Sequence, residues 1–182
     1  MGLKRSIFVL AALMSFGFTA TAQADFLSVA ADLPVAQSFK NSDLKADGAP
    51  SGFGLQVKLP LMVGLGIGQY DTKLKDSTTH VLTDLYDVFF QLPIPLINIT
   101  FGAGLGKTKI QCDSCTSVLT FKDANTTTTF AQLGFSILPL MDIHFAVHNT
   151  AGKVKQTVVA TAVESDIDIG GTITTLGVSI GF

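Results

Sequence analysis

The stretch that decides the fold is Ile97-Asn98-Ile99-Thr100-Phe101-Gly102-Ala103-Gly104-Leu105-Gly106. All of its odd-numbered residues are apolar, and all of its even-numbered residues are small or polar. Because successive side chains of a β-strand point to opposite faces of the sheet, this alternation predicts a strand with one apolar face. An amphipathic helix would instead repeat its apolar residues at every third or fourth position.

The same alternation occurs in seven further segments, so the sequence predicts eight strands in all. These segments cover residues 27–33, 53–59, 63–70, 82–92, 131–137, 143–148 and 176–182. Before the last strand, Ile167 and Ile169 are out of phase with Leu176. We expect a β-bulge at Gly170-Gly171 to reset the phase.

The links between the predicted strands alternate between short and long. Three short links, at residues 59–62, 92–95 and 138–141, each contain a Leu-Pro pair followed by an apolar strand. Four longer links, at residues 36–51, 72–80, 108–126 and 152–166, carry most of the charged residues. The pattern indicates an all-β, antiparallel, up-and-down sheet with tight turns at one end and polar loops at the other.

The composition decides which face of that sheet points inward. Of the 182 residues, 47% are apolar and only 14% are charged, which excludes a disordered chain. The 12 Lys and Arg residues against 14 Asp and Glu leave no cationic excess for binding nucleic acid. The polar faces are rich in glycine and poor in Lys and Glu, so they suit a narrow lumen better than a solvent-exposed surface. We therefore predict a transmembrane barrel, with apolar side chains toward lipid.

The first 24 residues have the features of an export signal. Lys4 and Arg5 precede an apolar run at residues 7–14, and the segment ends in Ala22-Gln23-Ala24. A basic start, a short apolar middle and a small-residue end are typical of a secretory signal peptide. The sequence thus predicts a cleaved signal peptide at residues 1–24 and one barrel domain at residues 25–182, outside the cytoplasm.

The last predicted strand has apolar residues at alternate positions and an aromatic residue at the end: Leu176, Val178, Ile180 and Phe182. With the signal peptide and the alternating strands, the chain resembles small eight-stranded outer-membrane β-barrel proteins of Gram-negative bacteria. The resemblance implies an outer-membrane location and contact with outer-membrane lipid and lipopolysaccharide. It also implies that these four residues form the signal read by the barrel assembly machinery.

The chain has no tryptophan, so the aromatic girdles of such a barrel must come from phenylalanine and tyrosine. The expected girdle residues are Phe53, Tyr70, Tyr86, Phe89, Phe90 and Phe182.

Polar residues on the lumen faces form the first candidate site. They are Gln56, Lys58, Tyr70, Asp87, Gln91, Asn98, Gln132, His144 and His148. We expect them to form a paired interior network, since buried charges need partners. The alternative is a catalytic or metal-binding pair of His144 and His148, with Asp142 on the same side. Four residues along a strand separate the two rings by about 13 Å, too far to share a metal, so we expect no metal and no cofactor.

The second candidate site is Cys112-Asp113-Ser114-Cys115, in the third long link. We expect Cys112 and Cys115 to form a small structural disulfide, since exported proteins meet oxidising conditions. A redox pair or half of a metal site are the alternatives. Neither the βαβ context of a redox pair nor a second pair of metal ligands is visible in the sequence.

A barrel of eight strands has a lumen only wide enough for its own side chains. The sequence therefore favours an integral outer-membrane protein with a structural or surface-interaction role, without enzyme activity. Two alternatives stay open: a narrow channel for small or hydrophobic solutes, and an enzyme that modifies lipid A.

Overall fold

The structure, a computed structural model, describes residues 27–75, 77–94, 96–112, 115, 118–138 and 140–182. The predicted signal peptide lies outside the described residues. The strands are β1 (Ser28–Phe39), β2 (Ser51–Lys58), β3 (Val63–Lys73), β4 (Thr79–Ile94), β5 (Ile97–Cys112), β6 (Leu119–Lys122), β7 (Ala124–Leu138), β8 (Met141–Val158), β9 (Val163–Asp168) and β10 (Gly171–Gly181). A single 3-10 turn at Pro60–Met62 joins β2 to β3.

Within the described ranges, eight of these strands close into a barrel. Their order is β10-β1-β2-β3-β4-β5-β7-β8, every neighbouring pair is antiparallel, and β8 pairs with β10 to complete the ring. The predicted all-β, eight-stranded, up-and-down barrel is confirmed. No helix in the described part of the chain is long and apolar enough to span a bilayer.

Apolar side chains cover the outside of the barrel. Leu65, Val88 and Phe101 are 57%, 61% and 53% exposed, and each lies in the middle of its strand's apolar face. In contrast, Asp32 and His144 are only 2% and 1% exposed. Apolar residues outside and polar residues inside are the arrangement that a hydrocarbon solvent requires. We call the outward apolar band the lipid belt; it runs through all eight barrel strands.

Beyond the lipid belt, the polarity of the strands reverses. On β8, the outward residues change from Phe145 and Val147 to Lys153 and Lys155, while the inward Val154 is fully buried. Val154 belongs to a small apolar core inside the loop end, formed by Ala124, Val154 and Ile169 with Leu44, Ile110, Phe121 and Ile167 packed against it. The reversal shows where the sheet passes from lipid into water.

This core explains why Ile167 and Ile169 are out of phase with Leu176. The predicted bulge at Gly170-Gly171 is wrong, because β9 and β10 keep one register against β8: Asp168 pairs with Lys153 and Gly171 with Thr150. The two isoleucines therefore point inward, where water rather than lipid surrounds the barrel. Register irregularities occur instead in β1, between Pro34 and Ala36, and in β7, between Ser136 and Leu138.

Two of the expected girdle residues point into the lumen. Tyr70 and Phe89 are 4% and 6% exposed, so their assignment to a girdle is wrong. The reason is the strand period, since Phe89 and Phe90 are adjacent and only one of them can face lipid. The other four, Phe53, Tyr86, Phe90 and Phe182, are outward and 43–71% exposed.

The long loops contain more sheet than the sequence indicated. β6 and β9 both pair with β8 in segments that were expected to be irregular. Together, β6, the outer part of β8 and β9 form a three-stranded sheet that continues the barrel wall beyond the lipid belt. We call this the outer sheet.

We expect the substitution Val88→Lys to destabilise the barrel by about 2–4 kcal/mol, since it places a charge in the middle of the lipid belt. The matched control is Gln111→Lys, which adds the same charge to an exposed outward position of β5 beyond Lys107 and Lys109 and should cost no more than about 1 kcal/mol. Reversible urea unfolding of the protein in lipid vesicles measures both. Equal losses would contradict the position of the belt.

Candidate functional site: the lumen network

The lumen is organised by a row of paired residues that crosses seven strands. In order around the barrel, the row consists of Gly68, Gly54, Asp32, Gly177, His144, Gly134 and Asn98, each paired with the next. Glycine thus separates the larger polar side chains along most of the row. The space above a glycine lets two polar side chains from non-adjacent strands meet across it.

Asp32 and His144 form the centre of the network. Their Oδ1 and Nε2 atoms lie 2.5 Å apart, and the two side chains are 2% and 0% exposed. The Asp32 Oδ2 atom accepts a second hydrogen bond from Gln56 Nε2, at 3.1 Å. Gln56 also donates to Gln132 Oε1 at 3.0 Å, so the network ties β1, β8, β2 and β7 together.

Gly177 creates the space for the Asp32–His144 pair. A Cβ atom at Gly177 would lie 2.3 Å from His144 Nε2 and 2.4 Å from Asp32 Oδ1, closer than real Cβ atoms approach other atoms. The carboxylate and the imidazole therefore meet directly above this glycine. Any larger residue at position 177 would push them apart.

A small polar cavity of about 20 Å³ lies between this pair and the end of the barrel that carries the short turns. Lys58, Gln91, Asn98 and Gln132 line it together with Asp142. Asn98 Nδ2 donates to Asp142 Oδ2 at 2.5 Å. A cavity of this size holds about one water molecule.

Aromatic rings fill the next level of the lumen. The rings of Phe130 and His148 stack with centroids 4.7 Å apart, and Phe89 packs edge-on against Phe130 at 6.2 Å. Tyr70 approaches His148 from the opposite wall at 6.3 Å. Gly102 accommodates the Phe130 ring, since a Cβ atom there would lie 2.1 Å from it. We call these four rings the aromatic layer.

Threonines fill the level between the aromatic layer and the apolar core of the loop end. Thr108 Oγ1 lies 3.2 Å from Thr83 Oγ1 and 2.8 Å from Thr126 Oγ1, which links three neighbouring strands. All three side chains are buried. Successive polar, aromatic, hydroxyl and apolar levels therefore occupy the lumen along its length.

Several buried polar atoms of this interior have no hydrogen-bond partner among the described residues. They include Asp87 Oδ1 and both ring nitrogens of His148. Ordered water is the usual partner of such atoms, since a buried polar group without one costs about 1–3 kcal/mol. The lumen therefore contains polar atoms that hydrogen bonds between protein groups leave unused.

His144 and His148 were the alternative catalytic or metal-binding pair, and each makes a different contact. His144 is committed to Asp32, and His148 stacks on Phe130. Ser136, on the neighbouring strand β7, is exposed and hydrogen-bonds neither histidine in the described part of the chain. Among the residues that the structure describes, no three His, Cys, Asp or Glu side chains are grouped to hold a metal ion.

At the loop end, Cys112 and Cys115 are joined by a disulfide, with their Cα atoms 5.4 Å apart. The bond links the last residue of β5 to the loop that leads into β6. Backbone N–H groups of Val118 and Leu119 donate to the Cys115 carbonyl oxygen at 2.9 and 2.8 Å. The bridge therefore fixes the position of Cys115, whose carbonyl oxygen accepts from the first residue of the outer sheet.

The C-terminal residues implied to form the assembly signal all lie on the lipid belt. Leu176, Val178, Ile180 and Phe182 are 46%, 42%, 48% and 71% exposed. Phe182 and Leu27 exchange backbone hydrogen bonds, of 2.8 Å and 3.4 Å, so the last residue is tied to the first barrel strand. Their recognition by the assembly machinery stays a prediction.

Sequence reasoning did not single out Asp32 or Phe130. Asp32 was on the polar face of the first predicted strand, and this position was the available signal. Its partner His144 is 112 residues away, so only the closure of β1 onto β10 brings them together. Phe130 was outside the segment predicted as a strand, because β7 begins at Ala124 and not at residue 131.

No protein-family model matches the sequence, and no curated protein sequence matches it. Solved structures do match the fold. The NMR structure of outer membrane protein W from E. coli aligns with 89% of this chain and 100% of its own, with a TM-score of 0.57 and 9% identity. The chain has the fold of a small outer-membrane β-barrel.

Two further structures support this fold. The solid-state NMR structure of outer membrane protein AlkL covers 86% of this chain and 89% of its own, with a TM-score of 0.56 and 11% identity. The crystal structure of Neisserial surface protein A covers 86% and 97%, with a TM-score of 0.50 and 11% identity. These neighbours agree with the lipid belt in supporting the predicted location of the barrel in the outer membrane.

We expect Gly177→Ala to destabilise the barrel by about 1–3 kcal/mol, because the added methyl group overlaps the Asp32–His144 pair. Gly134→Ala is the matched control, since it lies in the same row and its Cβ atom would meet no atom closer than the Cβ atoms of Asn98 and His144, at 3.4 and 3.5 Å. Unfolding midpoints in urea separate the two variants. Similar losses for both would show that Gly177 has no special role.

We expect Asp32→Ala to cost about 3–5 kcal/mol, because it leaves His144 and Gln56 buried without their carboxylate. The matched control is Asp71→Ala, which removes a carboxylate from an Asp–His pair of 2.9 Å whose side chains are 38% and 39% exposed. Exposed pairs contribute about 0–1 kcal/mol. Calorimetry or urea unfolding of both variants in the same detergent gives the difference.

Proposed function

We propose that this protein is an integral outer-membrane barrel with a closed lumen, and that it acts through its outer surface in a structural or surface-interaction role. The single observation that carries the proposal is the series of side-chain levels that fills the lumen. From the turn end outward, these are the Asp32–His144 network, the aromatic layer, the buried threonines and the apolar core. A filled lumen leaves the outer sheet, the loops and the lipid belt as the surfaces for interaction.

The proposal includes the absence of enzyme activity. The Asp32–His144 pair is the only buried carboxylate–imidazole ion pair in the described residues, and its side chains are 2% and 0% exposed. A lipid in the surrounding membrane has no access to these atoms, because the lipid belt and the strand backbones lie between. We therefore favour the structural role over lipid A modification.

A channel function is also less favoured. The cavity beside the Asp32–His144 pair holds about one water molecule, and the aromatic layer lies directly beyond it. Solute passage would require the rings of Phe89, Phe130, His148 and Tyr70 to move apart together. Rings packed at van der Waals contact resist such a rearrangement.

Planar-bilayer recording tests the closed lumen. We expect the wild-type protein to give no stable single-channel steps. Phe130→Ala, which removes a ring from the centre of the aromatic layer, should raise ion leakage. The matched control is Phe135→Ala, since Phe135 lies on the same strand but faces lipid and is 49% exposed. Stable conductance in the wild type would overturn the proposal.

A mass-shift assay on lipid A tests the absence of enzyme activity. Cells that express the wild-type protein or His148→Ala should give identical lipid A spectra. A modification present only with the wild type would assign an enzyme function instead.

A further inference from the structure

Lysines gather on one side of the barrel directly beyond the lipid belt. In the described part of the chain, five of them lie on three adjoining segments of the wall: Lys107 and Lys109 on β5, Lys122 on β6, and Lys153 and Lys155 on β8. All are exposed. We call these five residues the lysine face.

The strand registers place these side chains next to one another and on the outside. Lys107 follows the lipid-facing Leu105 by two residues, so both point outward from β5. Lys107 pairs with Asn125 of β7, and Lys122 pairs directly with Lys155. β7 lies between β5 and β8, and beyond the start of β7 the strand β6 contacts both of them. The lysine face is therefore continuous across this part of the wall.

Neighbouring carboxylates form only long ion pairs with the ammonium groups of the lysine face. Lys109 Nζ lies 3.4 Å from Asp123 Oδ2, and a single carboxylate, Glu164, lies 3.4 Å from Lys122 Nζ and 3.7 Å from Lys155 Nζ. These distances exceed the roughly 2.7–2.9 Å of a strong charge-assisted hydrogen bond. Their side chains are 48–68% exposed, and ion pairs at such exposure contribute little.

Two members of the lysine face make no ion pair with any residue that the structure describes. These are Lys107 and Lys153, which are the nearest to the lipid belt on their strands. Asp84 and Asp168 lie opposite them in the strand registers without contacting their ammonium groups. Asp166 lies opposite Lys155 in the same way, so the neighbouring carboxylates equal the five lysines in number. The attraction for an anion therefore comes from the two ammonium groups without an ion pair and not from net charge, which favours an anionic group that can pair with both.

A phosphate monoester carries about 1.5–2 negative charges at neutral pH and three acceptor oxygens. Toward the membrane, the next outward residue after Lys107 is the lipid-facing Leu105. On β8, Ala151 and Asn149 separate Lys153 from the lipid-facing Val147. A ligand that fits both the lysine face and the lipid belt has an anionic head and acyl chains. We propose that the lysine face binds the phosphomonoester head of a lipid in the surrounding outer leaflet, with its acyl chains along the lipid belt of β5, β7 and β8.

This inference deepens the proposed surface role and rests on it. The test uses the full barrel in phosphatidylcholine nanodiscs that contain a small fraction of bisphosphorylated lipid A, with bound lipid counted by native mass spectrometry. We expect the double variant Lys107→Gln/Lys153→Gln to bind lipid A about tenfold more weakly or worse, since each lysine near an anionic lipid surface contributes on the order of one kcal/mol.

The matched control is Lys45→Gln/Lys75→Gln, which removes the same charge from two exposed loop lysines away from the lysine face and should bind like the wild type. Lipid A stripped of its phosphates should bind the wild type as weakly as it binds the double variant. Inorganic phosphate at millimolar concentration should not displace the lipid, because it lacks the acyl chains.

Equal binding by the double variant and the wild type would overturn the inference, and so would displacement by inorganic phosphate or equal binding of the dephosphorylated lipid. The folded state of each variant is checked by its shift in gel mobility on boiling. The failure of this inference is distinguishable from failure of the closed lumen, since conductance does not depend on the outward lysines.

Discussion

The structure depends on the requirement that every backbone N–H and C=O group within hydrocarbon be hydrogen-bonded inside the protein. An open sheet would leave two unpaired edges in lipid, so β10 must pair with both β1 and β8. Closure with eight strands then fixes the width of the lumen, and the remaining architecture follows from filling that width. The alternation of glycine with large side chains along the inward rows is the solution that this chain adopts.

Closure also determines which polar groups meet. A buried carboxylate is tolerated only with partners, and Asp32 receives them from two strands. His144 approaches across Gly177, while Gln56 approaches from the neighbouring β2. Because these contacts join β1 both to the adjacent β2 and to the distant β8, the network holds the barrel to one register and one diameter. The interior is therefore a folding determinant of the barrel.

The sequence was sufficient for the fold because a period of two is visible wherever lipid lies on one side and a narrow lumen on the other. Residues 97–105 were assigned to the correct faces from this period alone. The same rule failed beyond the lipid belt, where Ile110 and Val154 point inward and lysines point outward. There the strands still alternate, but their polarity resembles that of a soluble sheet, so residues 152–166 were interpreted as loop. Tyr70 and Phe89 were misplaced for a related reason, since aromatic residues serve both as lipid-facing girdles and as lumen filling.

The uninterrupted length of β8 has a mechanical consequence. This strand runs from Met141 at the turn end to Val158 in the outer sheet with no hinge between them. A pulling force on the outer sheet would therefore pass along the β8 backbone to His144 and so to the Asp32–His144 pair. The ladder between β8 and β10 would then be loaded in shear, the direction in which its hydrogen bonds must yield together rather than one by one.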